Sequence, residues 1–272
     1  MIIVTGTMRS GTSLWMQILV RGGLKYIGDS FPKPWGSTLR AANPEGFYES
    51  QLLAGIYFAT NPHPETGAFL PPETTRTHAV KVFIPGVVRT DLAYLSRLIG
   101  TVRPWREFTA SLHRMREMGD PSRGGKSSDL PLPPALRWWV ENFALIRDIA
   151  TRGYPAHVAT FDRLLRDPAK EVATVFRWLE VGDSRAAIPA VDATLRTQSG
   201  CAKVYSGLGD SHEAVFDELY DFLDRGRDLS PAFVKKLNAT DAALRPHIVE
   251  ARDRARKRVL DLSTRTGAPN DT

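Results

Sequence analysis

Ile2-Ile3-Val4-Thr5-Gly6-Thr7-Met8-Arg9-Ser10-Gly11-Thr12-Ser13-Leu14 is the stretch on which the fold turns. Its first four residues are apolar or β-branched, as in a buried strand. Gly6 and Gly11 bound a loop that must turn sharply, and residues 12–20 carry the apolar spacing of a helix that Arg21-Gly22-Gly23 brings to an end. Strand, glycine loop and helix in that order make an anion cradle. Backbone N–H groups line the turn, and the helix N-terminus adds partial positive charge.

The spacing approaches the nucleotide loop Gly-x4-Gly-Lys-[Ser/Thr] and departs from it at one place. Thr12 stands where the lysine is required, and the cation lies inside the loop, at Arg9. A P-loop kinase uses that lysine on its β- and γ-phosphates, together with Mg²⁺. The departure disfavours a small-molecule kinase, the second function class considered. It favours a ligand of lower charge, held by one loop cation and hydroxyls.

Arg9-Ser10-Gly11-Thr12-Ser13-Leu14 resembles the 5′-phosphosulfate loop of sulfotransferases that use 3′-phosphoadenosine-5′-phosphosulfate (PAPS), in the form seen in tyrosylprotein and many bacterial members. The resemblance implies that Arg9, Ser10, Gly11, Thr12 and Ser13 hold the 5′-phosphosulfate. It covers roughly residues 1–180.

Further along the chain, strands are expected over 78–84, 99–102 and 157–160. Helices are expected over 51–60, 91–98, 104–115, 136–152, 168–179, 213–224 and 231–256. Residues 119–134 are rich in Gly, Ser and Pro and are expected as a mobile loop, 199–211 as irregular, and 263–272 as a disordered tail. Strands alternating with helices predict the α/β class: a P-loop-type parallel β-sheet with helices on both faces and a helical C-terminal extension, forming one domain over 1–262. Ligands of such sheets sit beyond the C-terminal ends of the strands.

A second constellation follows the strand expected at 99–102. Arg103 stands at its end, and Ser111 lies eight residues on, two turns into the next helix. An arginine and a hydroxyl so placed converge on one anion. The pair resembles the family's 3′-phosphate motif, which implies that Arg103 and Ser111 bind the 3′-phosphate.

Ala79-Val80-Lys81-Val82-Phe83-Ile84-Pro85 sets a lysine in an apolar strand, a costly placement without a partner or ligand. The corresponding strand end of cytosolic sulfotransferases reads Lys-Thr-His-x-Pro. The resemblance implies that Lys81 holds the sulfuryl group, and Lys81 and Arg9 are the expected catalytic cations for the bridging oxygen of the leaving phosphate, but Phe83 replaces the histidine base. The base is therefore sought in Asn43-Pro44-Glu45-Gly46-Phe47-Tyr48-Glu49, which resembles a segment of many bacterial members. Glu49 is its closing acid. Glu45 and His63 are the alternates, and capping of the next helix is the plain structural role for Glu49.

Phe161-Asp162-Arg163-Leu164-Leu165-Arg166-Asp167-Pro168 is similar to the family's Tyr-Glu-Asp-Leu-x-x-Asp-Pro stretch. Arg196 and residues 199–203 are the candidates for a loop that closes over the nucleotide. Trp35, Phe47, Tyr48, Trp138 and Trp139 are candidates for an aromatic acceptor pocket, with core packing the alternative; Trp15 is expected in the core.

The 272 residues are 42% apolar and 24% charged, with a net charge of +6, which suits an anionic ligand. No basic run reaches five residues, so nucleic acid is not an expected partner. The single cysteine, Cys201, forms no internal disulfide and belongs to no zinc-like spacing, so no metal is expected. No membrane span or signal peptide is read, and the expected compartment is the cytoplasm. The expected function is transfer of a sulfuryl group from PAPS to a hydroxyl or amine of a small-molecule, glycan or peptide acceptor, releasing the 3′,5′-bisphosphate (PAP). The alternatives are the kinase and a PAP-binding protein without catalysis. A homodimer is left open.

Overall fold

The computed structural model describes residues 1–32, 43, 45–117, 131–192, 204, 206–226 and 229–266. Its centre is β1 (Ile2–Gly6), in which every residue is buried. A strand shielded on both faces suits an uninterrupted apolar run in a parallel sheet. With β2 (Tyr26–Ile27), β3 (Ala79–Lys81), β4 (Arg97–Val102) and β5 (Ala156–Thr160) it forms one sheet in the order β2-β3-β1-β4-β5, every pair parallel. Val4 lies opposite Lys81 of β3, and Gly6 opposite Thr101 of β4.

Side-chain alternation along β1 sorts the helices into two layers. Ile2 and Val4 pack with α1 (Thr12–Arg21), α6 (Pro168–Leu179) and α7 (Ser184–Ala187). Ile3 packs on the opposite face with α2 (Ile84–Arg89) and with Leu145 of α4 (Pro134–Arg152). Next to that layer, α3 (Trp105–Glu117), α4, α8 (Asp210–Asp224) and α9 (Pro231–Thr266) share a core built on Trp105, Trp138, Trp139 and Phe216. The expected α/β class, with helices on both faces and a helical C-terminal part, is what the chain adopts.

Several elements differ from expectation, each for a local reason. The strand expected over 78–84 stops at Lys81, because the chain turns into α2 at Phe83, whose carbonyl accepts the first helical hydrogen bonds, and Pro85 fits the first turn. The helix expected over 91–98 shrinks to a 3₁₀ turn, Leu92–Tyr94, capped by the Asp91 carboxylate, which accepts from the Ala93 N–H at 3.0 Å; β4 then begins at Arg97. The helix expected over 51–60 is a 3₁₀ turn, Gln51–Ala54, that ends where Gly55 meets the Gly86 backbone. A short helix, α5 (Phe161–Arg166), was not expected; Thr160 caps it, its hydroxyl accepting from the Arg163 N–H. The helix α8 begins at Asp210, three residues before its expected start, and α4 begins at Pro134. In the tail, α9 runs through Thr266, so 263–266 are helical rather than frayed. Residues 119–130, 193–203 and 267–272 lie outside the described residues, and with them Arg196, the expected closing loop and Cys201.

The chain leaves β1 towards β2 and β3 on one side and returns to β4 on the other. The C-terminal end of β1 is thus the point where strand order reverses, the usual place for a ligand crevice. Lys81, the 6–11 loop, Arg103 and Phe161 all lie at the C-terminal ends of their strands.

Candidate functional site

Two glycines set the shape of the loop. A Cβ on Gly6 would lie 2.3 Å from Ser10 Oγ and 2.4 Å from the Thr101 carbonyl oxygen, so only glycine lets the turn close against β4. Gly11 has φ 101° and faces the Phe161 ring, 2.8 Å from where a Cβ would sit. It is also the N-cap of α1 and supplies no side-chain cap, so the first N–H groups of the helix are left for another acceptor.

Arg9 adopts φ 65°, a left-handed conformation that a non-glycine residue holds only when its surroundings enforce it. Two contacts do so. The Arg103 Nη1 donates to the Arg9 carbonyl at 3.3 Å, and Arg9 Nε donates to Ser111 Oγ at 3.4 Å. The two sequence constellations, read separately, therefore meet. Thr101 holds the loop from below, its hydroxyl donating to the Ser10 carbonyl at 2.9 Å.

Not every loop residue is open to an anion. Ser10 is fully buried, and both its hydroxyl and its N–H donate to the Thr7 carbonyl, at 2.7 and 3.1 Å. Its part is to hold the turn. Thr12 is buried in the first turn of α1. Ser13 reaches sideways, accepting from Lys81 Nζ at 3.2 Å.

Lys81 is 4% exposed, and its ammonium is fully engaged. It donates to Glu49 Oε1 at 2.8 Å, to the Phe47 carbonyl at 3.1 Å and to Ser13. Burial lowers its pKa; Glu49 opposes that shift, and the positive charge of Arg9 adds to it. Glu49 is held in turn by paired backbone hydrogen bonds with Asp29, at 2.8 and 3.0 Å. It does not cap the turn that follows; Ser50 does, accepting from the Leu52 N–H at 3.2 Å. The Asn43–Gly46 part of the segment is tied to α1 by Gln17, whose Nε2 donates to Asn43 Oδ1 at 3.1 Å and to the Gly46 carbonyl at 3.2 Å. That docking carries Glu49 to Lys81.

Arg103 is 7% exposed and faces inward. Its Nε donates to Glu107 Oε2 at 2.9 Å, its guanidinium stands 5.2 Å from the Phe161 ring centre, and its carbonyl accepts from Trp138 Nε1 at 2.7 Å. Arg9 is exposed at the surface, yet its pKa is lowered, first by desolvation among the surrounding protein atoms and then by the like charges of Arg103 and Arg114. Arg9, Lys81, Arg103 and Arg114 thus share one electrostatic neighbourhood, in which Glu49 pairs with Lys81 and Glu107 with Arg103, and an anion beside Arg9 would relieve the like charges around it.

The alternates fare differently. Glu45 is exposed and pairs with Arg21 at 2.9 Å, on the outer side of α1. His63 Nδ1 accepts from the N–H groups of Glu65 and Thr66 within its own loop. Trp138 and Trp139 are fully buried in the core around Phe216, so neither lines an acceptor pocket. Trp15 is core as expected, Phe47 and Tyr48 are buried, and Trp35 lies outside the described residues.

Sequence reasoning missed Gln17, Thr101 and Glu107. Glu107 alone had a readable signal, its i,i+4 spacing from Arg103. No protein-family model matches the chain, and no curated protein matches it. Among the described residues no helix is long and apolar enough to cross a membrane.

Proposed function

We propose that the chain is a sulfotransferase of the cytoplasm that takes the sulfuryl group of PAPS to a hydroxyl or amine acceptor and releases PAP. The observation that carries this reading is the direct contact of the two anion cradles, Arg9 Nε on Ser111 Oγ and Arg103 Nη1 on the Arg9 carbonyl. A ligand with two phosphate-type groups a nucleoside apart suits two cradles that adjoin at one crevice. PAPS, when bound, supplies an activated sulfuryl group on a good leaving phosphate.

The chain's own residues divide the remaining work. The uncapped start of α1 and Arg9 hold the 5′ end. Arg103 and Ser111 hold the 3′-phosphate. Lys81, whose ammonium donors are taken by Glu49, Phe47 and Ser13, acts on the leaving phosphate through its charge alone, which in a buried site counts more than in water. Glu49 takes the proton of the attacking hydroxyl as the new S–O bond forms. The acceptor is a small molecule, a glycan or a peptide.

One observation favours a second reading, a PAP-binding protein without catalysis. Phe83 replaces the histidine base, and Glu49 is engaged by Lys81. Incubation with ³⁵S-labelled PAPS and a broad acceptor panel separates the two. Labelled product supports transfer. PAP binding without any product supports the second reading, and no binding of PAP or PAPS ends both.

A further inference from the structure

Resting on that reading, we infer that Glu107 is a positioning residue for the 3′-phosphate site: it fixes the plane of the Arg103 guanidinium and thereby sets the preference for nucleotides that carry a 3′-phosphate. The Arg103–Glu107 pair lies one helical turn apart across the start of α3, Nε to Oε2 at 2.9 Å, with both side chains more than nine-tenths buried. Left alone, an arginine at a strand end samples many rotamers. Here three contacts hold it. Glu107 takes the Nε edge, the Arg9 carbonyl takes Nη1, and the Phe161 ring lies 5.2 Å from the guanidinium carbon. Among the described residues these bonds leave Nη2 without a protein acceptor. A carboxylate on the Nε edge and a loop carbonyl on Nη1 hold the fork beside the loop, whose Arg9 in turn contacts Ser111.

The placement looks wrong for charge alone. A carboxylate this close to a phosphate site repels the ligand, and replacing it with a neutral amide should tighten binding by simple Coulomb attraction. Positioning predicts the reverse. Without the carboxylate, only the Arg9 carbonyl and the Phe161 ring hold the guanidinium, and the 3′-phosphate loses part of the orientation of its donor. The two effects have opposite signs, so the variant decides between them.

The test measures, by calorimetry, the dissociation constants of PAP and of adenosine 5′-monophosphate, which differs from PAP only in lacking the 3′-phosphate. The ratio between them is the 3′-phosphate preference. Glu107→Gln is expected to lower that ratio by about tenfold or more, chiefly by weakening PAP, as for supporting residues of other oriented ligands. A ratio that is unchanged or higher overturns the inference. Equal weakening of both nucleotides means that Glu107 only supports the fold, and overturns it too. Should the amide variant fail to fold, Glu107→Asp keeps the charge and withdraws it by one methylene; the ratio should fall by a smaller factor, and an unchanged ratio again overturns positioning. Failure of the parent to bind PAP is a different outcome, and it removes the sulfotransferase reading and this inference together.

Discussion

Arg9 and Ser111, 102 residues apart in the chain, lie within a hydrogen bond of each other, Nε to Oγ at 3.4 Å. One belongs to the loop after β1 and the other to α3 after β4, and the parallel pairing of β1 with β4 brings them to the same edge of the sheet. The sheet, not any local motif, makes the site.

The buried Arg103–Glu107 pair gives Arg103→Ala two effects. PAP binding should weaken by tenfold or more. The uncompensated Glu107 carboxylate should also lower stability by about 3–5 kcal/mol, the usual cost of breaking a buried pair from one side. Calorimetric titration and a denaturant melt read the two separately. Parental affinity in a folded variant would remove Arg103 from the site.

Glu49→Gln keeps the shape of the Glu49 side chain and removes its base. Turnover should fall by about 10²–10⁴, the range for a positioned general base, while PAP affinity stays within about twofold. Single-turnover kinetics with labelled PAPS, beside a PAP titration, checks both. An active enzyme with unchanged turnover in this variant would reject Glu49 as the base.

Gly6→Ala places a methyl group against the Thr101 carbonyl, which cannot step aside without disturbing the β1–β4 ladder. A loss of about 1–3 kcal/mol is expected, as for overpacking elsewhere, together with loss of PAP binding. A variant that melts and binds like the parent would mean that the loop has room to open.

Glu171 makes the fold acid-sensitive. Burial raises its pKa, but the hydrogen bond and charge of His157 and the charge of Arg163 outweigh burial, and the net shift is downward. A carboxylate with a depressed folded pKa contributes stability above its unfolded value, 4.5, and loses that contribution as pH falls through the folded value. Thermal melts of the parent should therefore weaken below about pH 4.5, and Glu171→Gln should flatten that slope while lowering stability at neutral pH. Identical slopes would show that other carboxylates govern the acid limb.

Much of this was legible in the sequence because it is local. The strand, loop and helix of residues 2–20 announce themselves through apolar runs and two glycines, and Arg103 with Ser111 is a short spacing from a strand end into the next helix. What was not legible is non-local or too short. The helix expected over 91–98 failed because Asp91 capped a single turn and β4 claimed Arg97 and Leu98; strand pairing with Ile2 and Ile3 overrode the local pattern. Strand β2 has two residues, too few for any periodicity. Glu49 was legible as an acid in a motif, but its contact with Lys81 depends on Gln17 gripping the Asn43–Gly46 turn, a contact between segments that no spacing encodes. Trp138 and Trp139 were ambiguous by composition, and packing against Phe216 decided for the core.

Calorimetric titration of the purified chain with PAP in Mg²⁺-free buffer, beside a titration with ATP and Mg²⁺, tests most directly whether the adjoining cradles form one nucleotide site. Saturable one-to-one binding of PAP, stronger than that of ATP with or without the metal, is the expected result. No heat with PAP, or tighter binding of ATP with Mg²⁺, would contradict the assignment of Arg9 and Arg103 to the two ends of a single adenosine bisphosphate.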